Sequence, residues 1–158
     1  MKKFVLVLAL LIVAGLIAAC SQAPAASTQP TKRLITMTAV EPKGGVTVDK
    51  EPFPKAALIG DGYILKAPDK DGRWEISTYR WDPNQIIVNQ GDEVTLEILG
   101  INGKEHPTVI EGYDIKFAVT RGQITTVKFK ADKAGVFKFN CTAHPPTMVG
   151  ELIVLGSK

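Results

Sequence analysis

The chain has 158 residues, 45% of them hydrophobic, with 19 basic and 16 acidic side chains. That size suits one domain with a single core once the terminal segments are set aside. The formal net charge of +3 gives no footing for nucleic-acid binding.

The chain opens with Lys2 and Lys3, then an apolar run from Phe4 to Leu16, then Ile17-Ala18-Ala19-Cys20. This has the shape of a secretory signal. The apolar run is about 16 residues to Ala19, short of the roughly 20 that a membrane span requires. Small residues just before a cysteine resemble the bacterial lipoprotein cleavage pattern. Residues 1–19 are therefore expected to be removed and Cys20 to be acylated, which places the protein in the cell envelope, lipid-anchored on the outer face of a bacterial membrane. Losing Lys2 and Lys3 leaves 17 basic against 16 acidic side chains, so the mature chain is nearly neutral.

Ser21 to Lys32 is rich in Ala, Ser, Thr, Gln and Pro and too poor in apolar residues to bury anything, which suits a flexible tether. Arg33 to Val40 has the composition of a strand, but the Pro and Gly residues of Glu41 to Pro54 blur its boundary. Residues 20–55 are read as tether and N-terminal extension, and 56–158 as the domain. In that domain short β-branched or aromatic runs follow one another: Arg73 to Tyr79, Gln85 to Asn89, Glu93 to Leu99, Thr108 to Ile110, Asp114 to Val119, Gln123 to Lys130, Gly135 to Asn140 and Glu151 to Leu155. Gly-Asp, Asn-Gly and Lys-Ala-Gly turns separate them, and no helical period of useful length appears. The pattern predicts an all-β antiparallel sandwich or barrel.

Parity assigns the faces of these strands. Phe137, Phe139 and Cys141 share one side, and so do Val94, Leu96 and Ile98, and Thr125, Val127 and Phe129, because strand side chains alternate. Two sheets thus have apolar faces to pack together. Cys141 falls on the inward face at the end of its strand.

Cys141-Thr142-Ala143-His144-Pro145-Pro146-Thr147-Met148 puts a thiol, an imidazole and a thioether into one short loop between strands. The chain's other histidine, His106, lies upstream at the start of another predicted strand. With Cys20 assigned to the anchor, Cys141 is the only thiol of the folded part, and an intramolecular disulfide there is excluded. Each residue alone has a plainer reading: a buried cysteine, a solvated turn histidine, a core methionine. Together, two imidazoles, one thiolate and a weak thioether suit copper cycling between Cu(I) and Cu(II). Zinc also takes Cys and His, but its structural sites usually recruit more thiolates and do not call for a thioether.

Two further stretches carry a family resemblance. Trp81-x-Pro83-x-x-Ile86-x-Val88-x-x-Gly91-Asp92-x-Val94 resembles the opening of the cupredoxin domains of cytochrome oxidase subunit II, nitrous oxide reductase and nitrosocyanin. Phe129-Lys130-Ala131-Asp132-Lys133-Ala134-Gly135-Val136-Phe137 matches the strand and turn leading to their cysteine. The resemblance covers about the last 85 residues and implies a Greek-key β-sandwich. Dinuclear copper domains carry two cysteines in the ligand loop, whereas this loop has Cys141 alone. Nitrosocyanin has a glutamate where His106 falls and a second loop histidine near the position of Met148. The set therefore resembles a mononuclear blue-copper one, with one copper per chain held by His106, Cys141, His144 and Met148. The ligand loop also resembles that of amicyanin with one extra residue before the methionine. Pro107 stands where many blue-copper proteins place a bracing Asn, and Pro145 lacks an N–H to offer the Cys141 sulfur.

This resemblance implies a monomer that carries single electrons between redox proteins of a respiratory chain, by transient docking. A copper carrier that delivers metal to an oxidase or reductase is the alternative. A third reading, an enzyme with an open coordination position, has less support, because no nucleophile–base pair or paired carboxylates accompany the ligands.

Overall fold

The computed structural model describes residues 29–57 and 60–156; Cys20 and the export signal lie outside the described residues. The strands are β1 (Lys32–Val40), β2 (Lys43–Thr47), β3 (Tyr63–Lys66), β4 (Arg73–Thr78), β5 (Arg80–Asp82), β6 (Gln85–Asn89), β7 (Glu93–Gly100), β8 (Glu105–Ile110), β9 (Ile115–Thr120), β10 (Ile124–Lys130), β11 (Gly135–Cys141) and β12 (Val149–Leu155). Among the described residues no helix is long and apolar enough to cross a membrane.

The strands form an all-β sandwich. One sheet has the order β10-β7-β1-β5, the other β6-β12-β11-β8-β9, and a small sheet β2-β4-β3 adjoins them. From β5 onward the chain repeatedly passes from one large sheet to the other, as Greek-key sandwiches do. Alternation decides which residues meet between the layers: Val94, Leu96 and Ile98 from β7, Phe139 and Cys141 from β11, and Leu152 and Val154 from β12 are all buried. Met37 and Ala39 of β1 and Trp81 of β5 complete the same core. Each large aliphatic side chain buried in this way stabilises the fold by about 1.5–3 kcal/mol.

Two expectations are corrected. The sandwich is mixed, because β1 runs parallel to β7 and β6 runs parallel to β12. Strand direction depends on long connections that local periodicity does not encode. The domain also begins before residue 56: β1 lies between β7 and β5, paired with β7 from Lys32↔Glu93 to Ala39↔Gly100. Its inward residues are Met37 and Ala39, so the strand suggested at Arg33 to Val40 is part of the sandwich.

Asp92, in the turn before β7, anchors the start of β1. Its carboxylate accepts from the Thr31 N–H (2.8 Å) and hydroxyl (3.2 Å), Arg33 Nε (2.9 Å) and the Asn89 N–H (2.9 Å). Burial alone would raise its pKa. The hydrogen bonds from Asn89, Thr31 and Arg33 outweigh burial and hold it at about 2, against an ordinary 3.8. The carboxylate therefore stabilises the fold fully above about pH 4, and that contribution fades as pH falls toward 2. Asp92→Asn should destabilise the protein by about 3 kcal/mol at pH 7, since it removes the charge and turns an amide donor toward other donors. Denaturant titrations should show the gap between variant and parent narrowing from pH 4 to pH 2.

Candidate metal centre

The end of β11 brings the donor residues together. Cys141 is the last residue of that strand and pairs with Thr108 of β8, two residues beyond His106. On the other side the Cys141 N–H donates to the Met148 carbonyl oxygen (3.0 Å), just before β12 begins. The loop is closed on itself by the Met148 N–H, which donates to the His144 carbonyl oxygen (3.1 Å). Strand pairing on both sides of Cys141 thus fixes where His106 and Met148 must lie.

His106, Cys141 and His144 converge, their donor atoms all within 4.8 Å of one another. The two Nδ1 atoms are 3.2 Å apart, and Cys141 Sγ lies 3.3 Å from His144 Nδ1 and 3.9 Å from His106 Nδ1. An ion bound at roughly 2.0 Å from nitrogen and 2.3 Å from sulfur would hold such donors about 3.3–3.7 Å apart. The three residues therefore fit one metal ion. His106, Cys141 and Met148 are buried, and His144 is half-buried.

The tautomer of His106 follows from its other nitrogen. Nε2 lies 2.7 Å from the Asn102 carbonyl oxygen, which can only accept, so Nε2 carries the proton and the Nδ1 lone pair faces His144 and Cys141. Tyr79 stacks on the His144 ring, centroids 4.0 Å apart and planes at 30°. Trp81 donates from Nε1 to the Met148 carbonyl oxygen (3.2 Å), and its ring packs on Phe139.

Bracing of the loop comes from backbone carbonyls. Pro107 offers no side-chain hydrogen bond, yet its carbonyl oxygen accepts from the Thr142 N–H at 2.8 Å. On the opposite flank the Gly62 N–H donates to the Pro145 carbonyl oxygen (3.0 Å), and the Thr147 hydroxyl donates to the Gly62 carbonyl oxygen (3.0 Å). A Cβ on Gly62 would run into Thr147 Oγ1 and the His144 carbonyl oxygen, so only glycine allows this approach.

Three residues around the site are absent from the sequence reading: Tyr79, Asn102 and Glu41. Parity offered a faint signal for the first, since Ser77 and Tyr79 share a face on one predicted strand. Asn102 and Glu41 act through backbone groups and long-range contacts, and their neighbours in sequence carry no mark of the site.

Burial pushes the Cys141 thiol up, and the N–H groups of Ala143 and His144 offset this only in part. Burial, with the neighbouring His106, pushes His144 down, so its imidazole is neutral at pH 7. The thiol must therefore lose its proton when a metal binds, while His144 has none to lose. Calorimetric titration with Zn(II) at pH 7, in buffers of different ionisation enthalpy, should register release of about one proton per ion. Affinity should weaken as pH falls, and Cys141→Ser should abolish the release.

A family model described as a cupredoxin-like domain matches residues 63–154. Among solved structures, the chain is similar to a copper nitrite reductase from Nitrosomonas europaea, with 18% identity and a TM-score of 0.53, over 80% of this chain and 42% of that one. It is also similar to the multicopper oxidase mgLAC, with 19% identity and a TM-score of 0.50, over 80% of this chain and 40% of that one. At such identity the likeness is one of fold, and the chain spans less than half the length of either enzyme.

Proposed function

The chain belongs to the cupredoxin-like family, and from that premise we propose that it transfers single electrons at one copper held by His106, Cys141, His144 and Met148. Copper supplies a one-electron couple there, which suits a donor set of one thiolate, two imidazoles and a thioether. The observation that carries this reading is the convergence of both Nδ1 atoms with the Cys141 sulfur, with His106 and Cys141 buried.

The chain's own residues favour transfer over delivery or catalysis. His106 is held by Asn102, Cys141 by two neighbouring strands, and the loop by Pro107 and Gly62. Donors braced in this way move little between oxidation states, whereas a carrier must let its metal go. His144 is the half-buried member of the set, and Pro145 and Pro146 beside it are exposed. A small apolar surface around a ligand imidazole suits brief docking with a redox protein of a respiratory chain. We place the mature protein in the cell envelope as a monomer tethered through acylated Cys20, with a non-catalytic role.

Copper-loaded parent protein should show an intense thiolate-to-copper absorption band and a mononuclear paramagnetic resonance spectrum. Cys141→Ser should lose the band, since no other thiol of the folded part can replace it. Pro146→Glu should keep the band yet slow electron self-exchange by about tenfold or more, because a charge is placed where two copies must meet. Equal self-exchange in variant and parent at one ionic strength would show that electrons leave by another route.

Attachment is expected to depend on acylation. Cys20→Ala, exported on a standard cleavable signal, should appear in the soluble fraction, while the parent pellets with membranes. A variant that still pellets after a high-salt wash would refute the lipid anchor.

A further inference from the structure

The His106 imidazole is supported from a residue just beyond the end of β1, Glu41, whose side chain is also buried. The Glu41 N–H donates to Asn102 Oδ1 (3.1 Å), and the Asn102 carbonyl oxygen in turn accepts from His106 Nε2 (2.7 Å). The Glu41 carboxylate accepts from Ser77 Oγ (2.7 Å) and from Lys43 Nζ (3.1 Å), and its charge acts on the nearby Tyr79. Tyr79 is the residue stacked on His144. Glu41 therefore reaches His106 through an asparagine, and its carboxylate neighbours the tyrosine that stacks on His144.

Glu41 is also a charge in an unusual place. Its residue exposure is only 7%, and carboxylates are seldom buried unless paired. Its one cationic partner among the described residues, Lys43, has a side chain 65% exposed, so solvent screens that cation far more than it screens the carboxylate. Much of the negative charge therefore remains uncompensated by that cation.

We infer that Glu41 is a positioning residue that sets the reduction potential of the centre, its backbone orienting His106 through Asn102 and its buried charge favouring the more positive, oxidised metal. The inference rests on the copper reading above. Burial would raise the Glu41 pKa, but hydrogen bonds from Ser77 and Lys43 hold it below the usual carboxylate range, which keeps it ionised at neutral pH.

A residue that merely tied the small sheet to the sandwich would not discriminate between the signs of nearby charges. Glu41→Gln keeps the shape and an acceptor for Ser77 but removes the charge, whereas Lys43→Met removes the screened counter-charge. Voltammetry of the copper-loaded proteins should show the midpoint potential shifting upward in Glu41→Gln. In Lys43→Met it should shift downward by less, with the parent's one copper per chain retained in both. Parent-like potentials in both variants, or shifts of the same sign, would overturn the inference. If Glu41→Gln does not fold, the downward shift in Lys43→Met supports the inference alone, and an unchanged potential in that variant overturns it. A parent that takes up no copper would instead overturn the copper reading, and the inference with it.

Discussion

The pairing of β11 with β8 on one side and β12 on the other is the constraint from which the metal centre follows. Cys141 ends the middle strand, His106 belongs to one neighbour, and Met148 immediately precedes the other. A slip of two residues in either pairing would carry a donor roughly 7 Å out of place. A slip of one would turn the buried face of β11, with Phe139 and Cys141, outward. The apolar core therefore specifies the spacing of the donors, although most of its residues never approach the site.

The same arrangement separates two requirements that conflict in the proposed electron-transfer site. Donors must be shielded from water and held still, yet one must come near enough to the surface for an electron to pass. Here the shielding falls on His106, Cys141 and Met148, while His144 is half-buried. Its inner face is covered by Tyr79 and its loop is pinned by Gly62 and Pro107. Contact with solvent is thus gained at a donor whose loop is tied on both flanks.

Local information and long-range information divide cleanly in this chain. The alternation in β7, β10 and β11 is a property of neighbouring residues, and it marks the inward faces from the sequence alone. The donor residues were legible for a different reason: sulfur and imidazole are scarce in this sequence, so their grouping around one strand end stood out. Short strands were not legible. β2, β3 and β5 contain few residues, and two glycines and a lysine in β2 give no apolar pattern. The parallel partnership of β1 with β7 joins residues about sixty positions apart and leaves no local trace. Glu41, Asn102 and Tyr79 were hidden in the same way, since each earns its place through a partner distant in sequence.

The position of β1 bears on where this protein can be cut. The region that matches the family begins at residue 63, but a fragment starting there would lack the strand lying between β7 and β5. β7 would then become a sheet edge along its whole length, a long and regular row of unpaired peptide groups beside the space left by Met37 and Ala39. Such an edge recruits strands from other molecules. The folding unit is therefore larger than the matched segment, and a protein trimmed to that segment would expose an edge prone to self-association.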